Sequence, residues 1–440
     1  MKKTILLALL TISAFINIQA QDSAYARRII KTLSSESMYG RGFCHHGDSI
    51  AAQFLADEMK RIGLLPLQVN YMQHYSLDCY SLDGPISLSI NGIELQPYIQ
   101  FRICPSSTLT RSNKLSEAKW SKQLKDGTWV IGVNKLDTYA PIAGSQKDNP
   151  VCIEVIDTLI TKRIRKIKAD IPLQFHKDYK TQNVVGYVRG VIDSMVVFTA
   201  HYDHCGTMGD GVLFPGAHDN ASGVAAVMDL ARMAASQKPY YTMVFMLFSG
   251  EESGLNGSHY AAENPLIEYS KVKLLCNIDM FCGGDEGIMF FNAKSPNTKQ
   301  FYEQMKELNN ETHAAVEIRP RENRPNSDHY WFSGYCPSIF LLTMGGPYGG
   351  YHDPYDICES CGLGHYNAYM QMIKQLAGLE YSSTIRFPVR HNTYFQKMKQ
   401  HSSKHLKIAL IVSVSILVIL QVFLVVFAVV KYISQLYMQD

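Results

Sequence analysis

Five residues with metal-binding side chains each lie at or just past the end of an apolar run of this 440-residue sequence. They are two histidines and three carboxylates, His201, Asp219, Glu252, Asp279 and His352. Imidazole nitrogens and carboxylate oxygens are typical ligands of zinc, and two histidines with three carboxylates can hold a pair of ions. The sequence therefore predicts a site for two Zn²⁺ ions, and another divalent metal would also accept these ligands.

Two adjacent carboxylates, Glu251 and Glu252, follow the strand-like run 242–248 in a turn bounded by glycines. Neighbouring like charges in a tight turn favour a nearby cation. One carboxylate of such a pair can bind the metal while the other accepts a proton from water. We interpret Glu252 as the ligand and Glu251 as the general base, with a solvated charged turn as the alternative that this motif alone leaves open.

Asp203 lies two residues beyond His201, so that in an extended chain both side chains point to the same side. A carboxylate that accepts the second ring N–H of a metal-bound histidine fixes the tautomer of that ring. We therefore predict that Asp203 orients His201. Asp219 lies in a glycine-bounded turn just before a helical segment, where it can bridge two ions or cap the helix.

The last two ligand candidates are ordinary when taken singly. Asp279 closes the apolar run 272–278, and His352 follows the glycine-rich loop 345–350. Five ligand-competent residues at successive element ends are hard to explain as independent caps and turns. Jointly they indicate a metal site.

The elements that must position these residues follow a regular pattern after residue 183. Strand-like segments at 184–188, 195–200, 243–248 and 272–278 alternate with helical segments at 221–235 and 257–262. This alternation predicts an α/β fold with a mostly parallel, mixed sheet that helices cover on both faces. Ligands of such sheets gather at the carboxyl ends of the strands.

The amino-terminal part of the expected zinc peptidase domain, which we place at residues 21–385, is less regular. Residues 48–62 predict a helix that Asp48 can cap and Gly63 can end. Residues 80–180 contain short strand-like pieces separated by polar linkers. This stretch is either a β-rich insert or a set of long loops and edge strands of a single domain.

The sequence patterns at the two ends of the chain are typical of targeting segments. Residues 1–20 resemble a signal peptide, with Lys2 and Lys3 before an apolar stretch and Ala20 at the expected cut. Residues 408–430 form an uncharged run that predicts a transmembrane helix, preceded by a basic juxtamembrane linker at 386–407 and followed by a short tail at 431–440. We expect an exported protein, anchored by its C-terminal helix, with its catalytic domain outside the cytoplasm, in a bacterial periplasm or cell envelope.

The two topology signals disagree. Lysines before the span outnumber the one after it, which by the positive-inside bias favours a cytoplasmic domain. We give the signal peptide more weight, because it commits the domain to translocation before the span emerges.

The composition and charge of the chain argue against nucleic-acid partners. The chain has 46% hydrophobic and 18% charged residues, as a globular core requires. Its net charge of +3 becomes −5 when the nine cations of the terminal segments and Asp440 are left out. A mildly acidic domain without a basic stripe does not bind nucleic acids well, so we expect no nucleic-acid partner.

Ten cysteines in an exported chain permit disulfides, but spacing does not assign the pairs. Cys205, Cys276 and Cys282 lie within the site segments and could equally be small buried hydrophobes. Cys358 and Cys361 favour a loop disulfide or free thiols over a metal knuckle.

Five segments carry a family resemblance: Ala200-His-Tyr-Asp-His-Cys-Gly206, Gly216-Ala-His-Asp-Asn-Ala-Ser-Gly-Val224, Phe248-Ser-Gly-Glu-Glu-Ser-Gly254, Asn277-Ile-Asp-Met280 and Tyr351-His352. They resemble the motifs of the secreted two-zinc aminopeptidases. That family also contains glutaminyl cyclases, glutamate carboxypeptidases and transferrin-receptor-like proteins. The resemblance covers roughly residues 25–65 and 183–380, and the motifs occur in the family's order.

The resemblance implies how the five ligands divide between the ions. Asp219 would bridge the two zinc ions. His201 and Asp279 would complete one position, and Glu252 and His352 would complete the other.

The resemblance also implies roles for three neighbours. Glu251 would be the general base, Tyr351 would donate a hydrogen bond to the developing oxyanion, and Asp203 would orient His201. The peptide bond after Asp219 would be strained and cis.

Our first functional hypothesis is an aminopeptidase that removes the N-terminal residue from peptide substrates. The first alternative is a glutaminyl cyclase-like acyl transfer, because cyclases keep similar ligand positions. The second is a membrane-tethered receptor or scaffold with an inactive peptidase fold. Retention of all five ligands and Glu251 disfavours that last alternative.

Overall fold

The computed structural model describes residues 23–105, 114–139, 151–160, 162–346 and 350–379. These residues all fall within one compact unit. The predicted signal peptide, juxtamembrane linker, transmembrane helix and tail lie outside them. None of the helices in these ranges is both long enough and apolar enough to cross a membrane.

A nine-stranded sheet forms the centre of the described chain. Its strands are β1 (Leu65–Pro66), β2 (Met72–Leu82), β10 (Leu173–Val188), β11 (Ile192–His201), β14 (Tyr241–Phe248), β15 (Val272–Ile278), β16 (Gly287–Phe291), β17 (Ile318–Pro320) and β18 (Ser338–Met344). They are ordered β1-β10-β14-β11-β15-β18-β16-β17, and β2 also pairs with β10. The expected α/β fold with a mixed central sheet is confirmed.

The prediction of a mostly parallel sheet is wrong for the sheet as a whole. The central strands β14, β11, β15 and β18 are parallel, and β16 pairs in parallel with β17. The pairings of β10 with β1, β2 and β14, and of β16 with β18, are antiparallel. Parallel strands need covering crossovers, so the parallel part is limited to the region where helices alternate with strands in the sequence.

Alternating side chains give the central strands two buried faces. In β14, Phe245 and Leu247 belong to one hydrophobic core and Val244 and Met246 to the core on the opposite face. Successive strand residues point to opposite faces, so an almost continuous apolar run is required when helices cover both faces. The prediction of helices on both faces is confirmed.

The helices on the two faces come from segments before, between and after the strands of the central sheet. One face holds residues 23–33, Gly47–Ile62, Ser222–Ala235, Lys299–Thr312 and Tyr366–Leu376, and the other holds Asn256–Glu263 and His329–Phe332.

The helix Gly47–Ile62 ends at Gly63, whose φ of 89° is the left-handed conformation that glycine adopts without strain. Its start differs from the prediction. Asp48 lies inside the helix, and its carboxylate accepts hydrogen bonds from Tyr179 Oη and Thr181 Oγ1 of β10, both at 2.8 Å.

Two smaller sheets lie between β2 and β10. One contains β3 (Ser87–Ile90), β4 (Ile93–Glu94) and β9 (Ile167–Asp170), and the other contains β5 (Phe101–Pro105), β6 (Trp120–Gln123), β7 (Trp129–Val133) and β8 (Val151–Ile156). Their hydrophobic core includes Cys205, Met208 and Phe214. The small sheets therefore pack against the segment that follows β11.

A disulfide joins Cys282 to Cys361, whereas Cys358 has a free thiol. The C-x-x-C pair is thus neither a metal knuckle nor a loop disulfide between its own two cysteines. Cys361 instead pairs with a cysteine that lies 79 residues earlier in the chain.

Candidate metal centre

The candidate site lies at the carboxyl ends of the parallel strands. His201 is the last residue of β11, Glu251 and Glu252 follow β14, and Asp279 follows β15. In the parallel register of β11 and β14, His201 is the partner of Phe248. Strands that run in the same direction end at the same edge of the sheet, so these side chains meet there.

One group of ligands forms around His201. Its Nε2 lies 3.2 Å from Asp279 Oδ1 and 3.4 Å from Asp219 Oδ1. Ser327 Oγ donates to the other oxygen of Asp279 at 2.7 Å, and Asn277 Nδ2 donates to Ser327 Oγ at 2.8 Å. These bonds fix the carboxylate of Asp279 so that one oxygen faces His201.

A second group forms around His352. Its Nε2 lies 2.9 Å from Glu252 Oε2 and 3.2 Å from Asp219 Oδ2. The two oxygens of Asp219 therefore face two different histidines, which is the arrangement a bridging carboxylate requires. The structure thus brings together all five ligand candidates.

The backbone around Asp219 is held from two sides. Asp356 accepts the backbone N–H groups of His218 and Asp219 at 2.8 and 3.0 Å. The buried guanidinium of Arg41 donates to the carbonyl oxygens of Gly216 and Asp219 at 2.8 and 3.2 Å. The peptide bond between Asp219 and Asn220 is cis, as the resemblance implies. At the start of the helix Ser222–Ala235, the backbone N–H of Gly223 donates to Asn220 Oδ1 at 2.9 Å, so helix capping does not account for Asp219.

The turn that precedes Asp219 contains a glycine, Gly216, for a structural reason. Its φ of 59° is left-handed, and a Cβ atom at this position would clash with the backbone oxygen of Asp219 and with the ring of His204. The turn that presents Asp219 therefore requires glycine here.

Asp203 contacts different groups from those expected. Its carboxylate accepts the backbone N–H groups of Glu251 and Glu252 at 3.2 and 3.3 Å. His201 Nδ1 lies 3.2 Å from the backbone oxygen of Asp203 and 3.7 Å from its carboxylate. The carbonyl oxygen is thus the closer partner of the ring, and the carboxylate holds the turn of the two glutamates.

Tyr351 lies at the rim of the site. Its ring stacks on the ring of His352 with centroids 3.9 Å apart, and the residue is 53% exposed. Burial raises the pKa of its hydroxyl above the ordinary value of 10. The group therefore stays protonated and can donate a hydrogen bond at neutral pH.

The electrostatics of the site match a place for cations. Burial would lower the pKa of His201, but the carboxylates of Asp279 and Glu251 outweigh it and raise that pKa well above 6.5. Burial would raise the pKa of Asp219, but the neighbouring imidazoles of His201 and His352 hold it well below 3.8. Nearby positive charge would thus stabilise the carboxylates gathered here, and two divalent ions would supply it.

Glu251 behaves differently from its neighbours. Burial, the proximity of Glu252 and other nearby carboxylates raise its pKa well above 4.5, against an opposing effect of His201. A carboxylate whose proton affinity is raised in this way is suited to accept and return a proton.

The side chains present fit zinc. Oxygen and imidazole donors at both positions are ligands that Zn²⁺ accepts, and the three carboxylate ligands offset three of the four positive charges of two ions. Among the described residues, Nε2 of His204 and Nε2 of His352 are buried without a properly aligned hydrogen bond. Buried nitrogens of this kind require a partner, and a metal ion is one.

Four residues at the site were not assigned a role from the sequence. His204 Nδ1 lies 2.7 Å from Glu252 Oε1, and Cys205 lies in the same ligand group. Asp356 and Arg41 hold the Asp219 turn. The Ala200–Gly206 motif contains His204 and Cys205, so their place in that motif was the available signal. Asp356 lies 137 residues from Asp219, and local spacing gives no indication of that contact.

Parts of the chain are similar to known proteins. Residues 183–377 match the family described as Peptidase family M28. A probable zinc metalloprotease of Pyricularia oryzae is 43% identical over 88 residues, which are 19% of this chain and 18% of that protein. Aminopeptidase YwaD of Bacillus subtilis is 29% identical over 161 residues, 34% of this chain and 33% of that protein.

Two solved structures share the fold. A zinc aminopeptidase from Bacillus subtilis has a TM-score of 0.59 at 16% identity, covering 83% of this chain and 96% of that one. A Peptidase M28 precursor from Shewanella amazonensis has a TM-score of 0.59 at 15% identity, covering 87% and 99%. The chain covers a third or less of the length of the Pyricularia oryzae metalloprotease and of aminopeptidase YwaD. Residues 183–377 are therefore similar to peptidase family M28, and relatives of the chain are named zinc metalloprotease and aminopeptidase.

Proposed function

We propose that this protein is an aminopeptidase that hydrolyses the N-terminal peptide bond of peptide substrates with two zinc ions and Glu251 as general base. The position of Asp219 carries the proposal: its two oxygens face His201 and His352 at 3.4 and 3.2 Å. A carboxylate placed between two histidines, each with a second carboxylate, supports a pair of ions rather than one.

In this proposal each residue of the site has a separate role in hydrolysis. When bound, the zinc ions would acidify a water molecule and polarise the peptide carbonyl. Glu251 would accept a proton from the attacking water and return it to the leaving amine, which its raised pKa favours. The Asp203 carboxylate would hold Glu251 in place by accepting the backbone N–H of Glu251. The Tyr351 hydroxyl would donate a hydrogen bond to the oxyanion.

A cleft beside the site has room for a peptide. Its volume is about 960 Å³, and it is lined by Tyr98, Ile131 and Glu154 of the small-sheet region and by Tyr351 and Asp353 of the loop that carries His352. Sites of this size bind small molecules and short peptides. The cleft therefore supports peptide substrates that extend past the metal ligands.

The experiment compares two substrates with one preparation. The zinc-loaded protein is incubated with an aminoacyl chromogenic amide and, separately, with a peptide that begins with glutamine. We expect release of the chromophore, and we expect Glu251→Gln to abolish it while the zinc content stays at two ions. Glu263→Gln is the control, because the Glu263 side chain is 63% exposed.

Two other outcomes would contradict the proposed aminopeptidase activity. Loss of ammonia from the glutamine peptide without chromophore release would replace hydrolysis by cyclisation. Full zinc occupancy without either activity would favour a receptor or scaffold.

Export and anchoring are proposed from the sequence alone. Residues 1–20 would direct secretion and residues 408–430 would hold the domain at the membrane, outside the cytoplasm. Fractionation of cells that express the whole chain, or a chain that stops after residue 385, tests this. We expect only the whole chain to stay with alkaline-washed membranes; recovery of both forms in the soluble fraction would contradict the anchor.

A further inference from the structure

The two ligand groups of the site are not chemically equal. Around His201 lie Asp219 and Asp279, which add only oxygen donors to the imidazole. Around His352, four residues bring one donor atom each to within 4.8 Å of one another: His204, Cys205, Glu252 and His352. The second group thus adds another imidazole and a thiol to the pair that the family resemblance implies.

The nitrogens of this group are directed by their neighbours. His352 Nδ1 donates to the carbonyl oxygen of Tyr139 at 2.7 Å, so the lone pair of the ring lies on Nε2, facing Glu252. The His204 side chain is fully buried, with Nδ1 at 2.7 Å from Glu252 Oε1. Among the described residues, its Nε2 has no hydrogen-bond partner. Two buried imidazoles therefore converge on one glutamate, His204 through Nδ1 and His352 through Nε2.

Cys205 adds the sulfur. It is 2% exposed and is not part of the Cys282–Cys361 disulfide. The hydrogen-bond contact of its Sγ is long, 3.7 Å to the Tyr139 carbonyl oxygen. A buried thiol beside two imidazoles and a carboxylate is a donor set that zinc prefers over the harder cations, because thiolate is a soft ligand.

We propose that the zinc ion at the His352 position has His204 and the thiolate of Cys205 as ligands in addition to Glu252 and His352. This inference rests on the proposed two-ion site. The Cys205 thiol loses its proton to solvent when the sulfur–metal bond forms. With Asp219 as the bridge, the position at His352 has five protein donors, whereas the position at His201 has three and keeps room for water beside Glu251. The ion at the His352 position binds first and tightly, and the ion at the His201 position binds second.

Titration of the metal-free protein with Co²⁺ tests the proposal through absorption spectra. We expect the first equivalent to produce a thiolate-to-cobalt charge-transfer band in the near ultraviolet, and the second to add visible ligand-field bands only. Cys205→Ser should remove the charge-transfer band and leave the second equivalent in place. Cys336→Ser is the matched control, because Cys336 is another buried free cysteine that belongs to none of the ligand groups found among the described residues.

His204→Gln tests the extra imidazole. We expect it to weaken binding of the first equivalent by about 100-fold and to keep the charge-transfer band at saturating cobalt. Unchanged affinity would remove His204 from the ligand set.

The spectra of the unsubstituted protein separate the two proposals. Two bound equivalents without a charge-transfer band would overturn the thiolate ligand and leave the two-ion proposal intact. One bound equivalent with the band would support the thiolate ligand and contradict the two-ion proposal. Because these outcomes come from the native chain, they do not depend on whether a variant folds.

Discussion

The carbonyl oxygen of Tyr139 accepts the Nδ1–H of His352 at 2.7 Å, across 213 positions of sequence. Tyr139 lies between β7 and β8 of the smaller β5–β8 sheet, and His352 follows β18 of the central sheet. The ring of Tyr139 stacks on Phe214 with centroids 4.4 Å apart. The small-sheet region therefore sets the tautomer and orientation of one metal ligand.

Tyr139→Ala should weaken metal binding at the His352 position. Without the ring, the segment loses its anchor on Phe214, and the carbonyl no longer fixes His352. We expect a loss of zinc affinity of about 10–100-fold, measured by competition with a chromophoric chelator. Tyr139→Phe keeps the stacking and is the control. Equal affinity of the alanine and phenylalanine variants would show that the stacked ring does not position the ligand.

Asp203→Asn should slow catalysis while both metals stay bound. Its two carboxylate oxygens accept the backbone N–H groups of Glu251 and Glu252, and an amide offers an oxygen to only one of them. We expect kcat to fall by about 10–100-fold, measured together with the zinc content of each preparation. Asp193→Asn, at an exposed position, should change neither quantity. Loss of zinc in parallel with activity would instead indicate that Asp203 acts mainly through His201.

Arg41→Met should lower the stability of the fold. The buried guanidinium donates to the carbonyl oxygens of Leu33, Tyr202, Pro215 and Gly216 at 2.6 to 2.8 Å. A buried acceptor that loses its donor costs about 1–3 kcal/mol, so the free energy of unfolding should fall by at least about 3 kcal/mol. Urea unfolding measures this. Arg189→Met, at an exposed position, should stay within about 0.5 kcal/mol of the unsubstituted protein.

Asp48→Asn should change the pH dependence of stability. Burial raises the pKa of Asp48 from 3.8 to about 6, although hydrogen bonds from Thr181 and Tyr179 oppose it. Between these two values the folded state binds more protons at this site than the unfolded state, so Asp48 makes stability rise as pH falls from about 6 toward 3.8. In Asp48→Asn this contribution is absent.

The measurement is the free energy of unfolding between pH 4 and pH 7. The unsubstituted protein should gain stability relative to Asp48→Asn on acidification, because only its carboxylate takes up the proton. Parallel curves for the two proteins would mean that Asp48 titrates normally in the folded state. Asp57→Asn, on the exposed side of the same helix, is the control.

The sequence by itself predicted the five ligand candidates and the direction of the central strands. Apolar runs of strand length that alternate with helical segments predicted the parallel centre, and parallel strands must place His201, Glu252 and Asp279 at one edge. The glycine-bounded turn before a helical segment added Asp219, and the glycine-rich loop 345–350 added His352. These inferences depend on short-range pattern and on the order of elements, both of which are written directly in the sequence.

Only the tertiary structure decided which partners hold these ligands. The contacts of His352 with Tyr139 and of Asp219 with Asp356 join positions more than a hundred residues apart, and no local periodicity encodes them. The antiparallel outer strands and the carboxylate of Asp203 on the glutamate turn were missed for the same reason. His204 and Cys205 lie in the Ala200–Gly206 motif, but the sequence does not indicate their role, because that role depends on where Glu252 and His352 lie. Such contacts depend on how distant segments pack, and only the folded chain brings those segments together.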